Sequence, residues 1–159
     1  MKINIVAAGK LKEKYLSQGI AEFMKRLAPF AQVRILEIHE EKMPENPSAA
    51  EKEKVLAAEG GRLLHQVPAG SYLVVLDVYG EQKSSEELAA RIDALGLQGR
   101  SNITFLIGGA FGLSAGVRAA ADERLSFSRM TFTHQMVRLL LVEQIYRAFK
   151  INRGAKYHW

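Results

Sequence analysis

The chain has 159 residues, 48% of them apolar and 25% charged, which places it among folded proteins with room for one sizeable core and a single domain spanning residues 1–159. It contains no Cys, and its four His (His39, His65, His134, His158) never share a helical turn, so disulfides, thiolate sites and a zinc or iron centre are not expected. No apolar run approaches the roughly 18 residues of a membrane span. The opening apolar stretch is too short for a signal peptide, so a cytoplasmic protein without a membrane segment is expected. The net charge of +5 is unevenly spread. Residues 138–159 carry five Lys and Arg against Glu143 alone, while residues 37–59 carry seven Glu against three Lys. Such a gradient suits orientation on a polyanion, although cations at a helix C-terminus also complement the helix dipole.

In chain order, residues 2–8 read as an apolar, β-branched strand. Residues 13–27 place Leu16, Ile20, Phe23, Met24 and Leu27 at helical spacing, with Pro29 beyond them. Residues 32–38 alternate as a second strand, and 40–47 form a polar loop. Residues 48–66 predict a charged helix weakened at Gly60-Gly61, since each Gly costs about 1 kcal/mol in a helix interior. Residues 71–77 predict a buried strand, and Ser84 with Glu87 predicts a capping box for a helix reaching about residue 95. Residues 102–107 form another buried strand, 114–121 a short helix, 124–127 a short strand and 133–152 the last helix. Strands separated by helices imply parallel crossovers, hence a three-layer α/β sheet. The last helix is apolar nearly all round for its first three turns, which predicts burial on every side and a second subunit covering one of them.

The residues with chemical character are few. Gly108-Gly109-Ala110-Phe111-Gly112 lies between a strand and a helix, where glycine lets the backbone approach a ligand closely. No Lys follows, so it is not a phosphate loop, and it comes too late in the chain for the dinucleotide fingerprint. A tight strand-to-helix turn explains it equally well. Asp77, at the end of a buried strand, reads as a partner for the next loop. His134 fits a structural hydrogen bond as well as a general base. Tyr157 and Trp159 beside Arg153 and Lys156 are the mixture that single-stranded RNA recognition uses. Absent hydrolytic, redox and metal-binding residues point to a reaction whose power resides in a cofactor, such as methyl transfer from a sulfonium.

The succession Ile107-Gly-Gly-x-x-Gly-Leu113, then Leu125-Ser-Phe-Ser-x-Met-Thr-Phe-x-His134, then Arg138-x-x-Leu-x-Glu143-Gln-x-Tyr146-Arg147 and a terminal Tyr157-His158 resembles the bacterial ribosomal RNA large subunit methyltransferase H family, part of the SPOUT superfamily. Thr133 stands where many relatives have Pro. The resemblance implies an α/β fold with a C-terminal trefoil knot, a homodimer, and S-adenosyl-L-methionine as cofactor. It implies methylation of N3 of a pseudouridine in 23S ribosomal RNA, on the assembled ribosome. Carried over by position, Leu76, Gly108, Phe127, Ser128, Arg129, Met130, Thr131 and Phe132 would contact the cofactor. Arg138, Arg147, Arg153, Tyr157 and His158 would meet RNA, with His158 the candidate for assisting the N3 proton. The alternatives are a knotted methyltransferase of another RNA, such as tRNA, and a non-catalytic ribosome-associated RNA-binding factor.

Overall fold

The computed structural model describes residues 1–157; His158 and Trp159, and with them the expectations placed on His158, lie outside the described residues. The elements are β1 (Lys2–Ala8), α1 (Lys14–Leu27), β2 (Gln32–Ile38), α2 (Ala49–His65), β3 (Tyr72–Gln82), α3 (Ser85–Leu97), β4 (Asn102–Ile107), α4 (Ala115–Ala120), β5 (Glu123–Ser126) and α5 (His134–Asn152). The strands form one five-stranded sheet in the order β2-β1-β4-β3-β5, with every pairing parallel. Alternate strand residues feed opposite faces. Ile3, Ile5, Val74, Ile103 and Phe105 meet Ile20, Leu88, Ile92, Leu141 and Ile145 of α1, α3 and α5. Val6, Ala8, Leu73, Val75 and Leu106 meet Leu63 of α2 and Val117 of α4. The three-layer α/β expectation therefore holds, with the sheet buried on both faces.

Three local differences have physical causes. Helix α2 runs unbroken through Gly60-Gly61, started by a capping box between Ser48 and Glu51. Gly60 is where α2 crosses α4: a Cβ there would lie 2.9 Å from Val117 Cγ2 and collide with Ser114 Oγ. Strand β3 continues past Asp77 to Gln82, because its polar end pairs with β5 after a register shift between Leu76 and Glu81. Gly80 makes that pairing possible, since a Cβ would sit 2.7 Å from the Arg124 carbonyl carbon and oxygen. Finally, α5 lies between α1 and α3 with the sheet beneath it, and Leu139 approaches within 3.0 Å of where a Gly19 Cβ would stand. Among the described residues no large apolar side chain of α5 is exposed. Met136, Val137, Leu139, Leu140, Tyr146 and Phe149 are half-buried, so part of the apolar surface of α5 stays accessible in the single chain.

Candidate functional site

The site forms at the C-terminal edge of the sheet, where α/β folds leave crevices between strand ends. Leu76 on β3, Ile107 on β4 and Leu125 on β5 supply the floor of a cleft of about 820 Å³. The glycine loop, residues 108–112, is one wall. Gly108 is forced by space, because a Cβ would lie 2.7 Å from Leu113 Cδ2 and 2.9 Å from the Gly112 oxygen. Gly112 has φ +94°, a conformation that strains any residue with a side chain. The segment 126–133 is the opposite wall. Its hydroxyls hold the loop itself: Ser126 Oγ donates to the Ser128 carbonyl (3.0 Å), and Met130 N–H donates to Ser128 Oγ (3.0 Å). Thr133 caps α5 by accepting from Met136 N–H at 3.2 Å.

The rim is apolar and open. Tyr79 is 78% exposed, Met130 75%, Phe111 51% and Phe132 45%, too much unpaired apolar surface at one mouth to be incidental. Charge at the rim is largely committed. Asp77 is buried, donates nothing, and accepts from Tyr79 N–H (3.1 Å) and Arg118 Nε (2.9 Å), with Arg124 Nη1 at 3.4 Å. Burial pushes its carboxyl up, but the Arg118 hydrogen bond, the Tyr79 amide and the two guanidinium charges outweigh that and hold it below its ordinary value. His134 Nε2 lies 3.0 Å from Glu40 Oε1, within ion-pair reach but not aligned as a hydrogen bond.

Of the eight residues expected at a cofactor, Leu76, Gly108, Phe127, Ser128, Met130, Thr131 and Phe132 all line this one cleft. Arg129 does not: it is exposed and its side chain is absent from the lining. The residues expected at RNA are not gathered with them. Arg138 is corrected outright, being fully buried, with Nη1 donating to Glu37 Oε2 (2.5 Å) and Nη2 to the Gly9 carbonyl (3.0 Å). It pins the start of α5 to the ends of β1 and β2. Arg147 donates to Glu143 Oε1, and the Tyr157 hydroxyl donates to the same oxygen at 3.2 Å. Arg153 lies 4.4 Å over the Phe30 ring. Burial, together with the Glu143 carboxylate, pushes the Tyr157 phenol up.

Sequence reasoning passed over Lys52, Leu56, Tyr79 and Arg118, which also line the cleft. Lys52 and Leu56 are four apart on α2, a spacing that puts them on one face, and Leu63 one turn further from Glu59 continues it. Among the described residues no group of His, Cys, Asp and Glu could hold a metal, and no helix is long and apolar enough to cross a membrane.

The sequence profile of a family described as "Predicted SPOUT methyltransferase" matches residues 1–158. The chain is 58% identical to the ribosomal RNA large subunit methyltransferase H of Halothermothrix orenii, over 99% of both chains. It is 54% identical to the protein of the same name from Pelotomaculum thermopropionicum, over 99% of this chain and 98% of that one. In fold it is similar to the tRNA (m1G37) methyltransferase of Aquifex aeolicus, with a TM-score of 0.52 at 12% identity, covering 92% of this chain and 70% of that one. A match along nearly the whole length, together with seven of the eight expected residues around one cleft, settles the relationship: the chain belongs to the SPOUT methyltransferase family.

Proposed function

We propose that this protein is an S-adenosylmethionine-dependent methyltransferase of 23S ribosomal RNA that methylates N3 of a pseudouridine, acting as a homodimer with a knotted C-terminal half. The observation that carries the reading is the convergence of Gly108 and the 127–132 segment on one apolar-floored cleft of about 820 Å³. That volume lies in the range of small-molecule sites. The cleft fits the cofactor on chemical grounds. Leu76, Ile107 and Leu125 offer an apolar bed for a flat base, and Gly108 lets the loop fold tightly beside it, since a Cβ there would collide with Leu113 and the Gly112 carbonyl. The Gly109 N–H is already given to Glu59 Oε1 at 3.1 Å and so is not free to hold a phosphate.

Adenosylmethionine, when bound, supplies a methyl group on a sulfonium sulfur. The chain's own part is to hold that group in line with the base and to keep water out, for which Phe111, Met130 and Phe132 form the rim. Methylation of N3 would require its proton to leave. His158 is our candidate to receive it. The sequence relationship supports the knot, the dimer and the ribosomal substrate.

Calorimetric titration of the purified protein with S-adenosylmethionine tests the cofactor, and mass-spectrometric mapping of 23S RNA from ribosomes treated with protein and cofactor tests the target. Micromolar binding and one added methyl on a pseudouridine are expected. Absence of binding would return the protein to the RNA-binding-factor alternative, and methyl transfer to tRNA instead would redirect the substrate. In single-turnover assays, His158→Ala is expected to lower the rate and flatten its rise with pH; an unchanged profile would remove His158 from the proton step.

A further inference from the structure

One buried carboxylate stands behind the cleft without lining it. On α2, Lys52 and Leu56 line the cleft and Leu63 packs under the sheet, and Glu59 lies between them on that inner face, only 6% exposed. Burying a carboxylate is costly unless its oxygens are satisfied. Among the described residues no cation forms an ion pair with Glu59. Its two oxygens instead accept backbone N–H groups from two different loops: Oε1 from Gly109 at 3.1 Å, and Oε2 from Glu41 at 3.3 Å.

Both loops belong to the edge that carries the cleft. Gly109 is in the glycine wall, while Glu41 follows Glu40, whose carboxylate flanks Gly9 and reaches His134 at the start of α5. Gly109 has no room for a side chain on that side, because a Cβ would lie 2.9 Å from Glu59 Oε1. An apolar helix residue here would leave two inward-facing donors without acceptors. The carboxylate suits the place because it offers two acceptors and no donor.

We propose that Glu59 is a positioning residue of the cofactor cleft, fixing the glycine wall through the Gly109 amide and tying it to the 39–47 loop. It acts through the wall and not on the ligand, since it is not part of the lining. The proposal rests on the cleft being the adenosylmethionine site. Its signature is a loss of affinity shared by every ligand that uses the wall, with the chemical step spared.

The test is Glu59→Gln, which keeps the shape but turns one acceptor into a donor facing an N–H. Calorimetry should show S-adenosylmethionine and S-adenosylhomocysteine both bound about tenfold more weakly. The KM for the cofactor should rise in parallel, with kcat at saturation within about twofold of the parent. Unchanged affinity overturns the proposal, as does a fall in kcat at unchanged affinity. Weakening confined to adenosylmethionine also overturns it, because the homocysteine product lacks the sulfonium charge and the effect would then be direct electrostatics. A second measurement needs no variant: the Gly109 amide of the wild-type protein should resist hydrogen exchange before any cofactor is added. Exchange at the unprotected rate overturns the proposal, whereas a protected amide in a protein that binds no adenosylmethionine would locate the failure in the reading of the cleft.

Discussion

A carboxylate at the edge of a cleft invites a catalytic role, and the partners of Asp77 argue against one. Both of its oxygens are engaged, by Tyr79 N–H on one side and by Arg118 and Arg124 on the other. Its depressed pKa has a consequence for stability. A carboxyl whose folded value lies below its unfolded value stabilises fully above the unfolded value, and that stabilisation is lost as the pH falls through the folded one. Asp77→Asn is therefore expected to destabilise by about 1–3 kcal/mol near neutrality. The difference from wild type should shrink once the pH drops below about 3.9, the ordinary aspartate value. Urea unfolding at several pH values would show it, and a pH-independent difference would contradict it. Arg138 makes the matching case for a cation. The family resemblance suggested RNA for it; its place in the fold is the interior, where it joins Glu37 and Gly9. Arg138→Met should cost about 2–3 kcal/mol of folding stability, measured by denaturant, because it leaves the Gly9 carbonyl and Glu37 without their charged donor.

At the scale of elements, what the sequence makes legible is whatever depends on local pattern. The bounds of β2 and β4, the two Ser–Glu capping boxes and the alternation of strand and helix are written in neighbouring residues. What it hides depends on distant partners. The continuation of β3 through Val78, Tyr79 and Gly80 has no apolar run to announce it, and exists because β5 arrives beside it. The burial of α5 was legible, but which surfaces do the burying was not, since α1 and α3 are far away in sequence. The cleft follows the same division: its glycines stood out by composition and its 127–132 wall through the family resemblance, whereas Lys52, Leu56 and Glu59 on α2 reach it only through packing. Gly80 tests the hidden part. Gly80→Ala would press a methyl against the Arg124 backbone, only 2.7 Å away, where no rotamer change can relieve it. Overpacking of this kind costs about 1–3 kcal/mol. Because β5 ends at Ser126 and leads directly into Phe127, the same substitution should weaken S-adenosylmethionine binding in calorimetry, and a stable variant with unaltered affinity would show that the β3–β5 contact does not set the cleft.

For the molecule as a whole, the charge gradient survives folding in reduced form. Of the five cations in the C-terminal stretch, Arg138 is buried, and Arg147 shares Glu143 with the Tyr157 hydroxyl. Lys150, Arg153 and Lys156 remain, with Arg153 resting on Phe30. A patch of that size cannot rely on counterion release for tight binding. With three phosphates neutralised on a single-stranded loop, log K against log salt should fall with a slope of about −2. Lys156→Ala should make the slope shallower by about 0.7. Such weak attraction explains why the assembled ribosome is the expected substrate, since shape and additional contacts must supply what charge does not. Filter binding of a 23S stem-loop fragment across a salt series measures the slope. A value near −4 would mean that two subunits present their tails to one RNA, and a value near zero would mean that the basic end of α5 faces away from it.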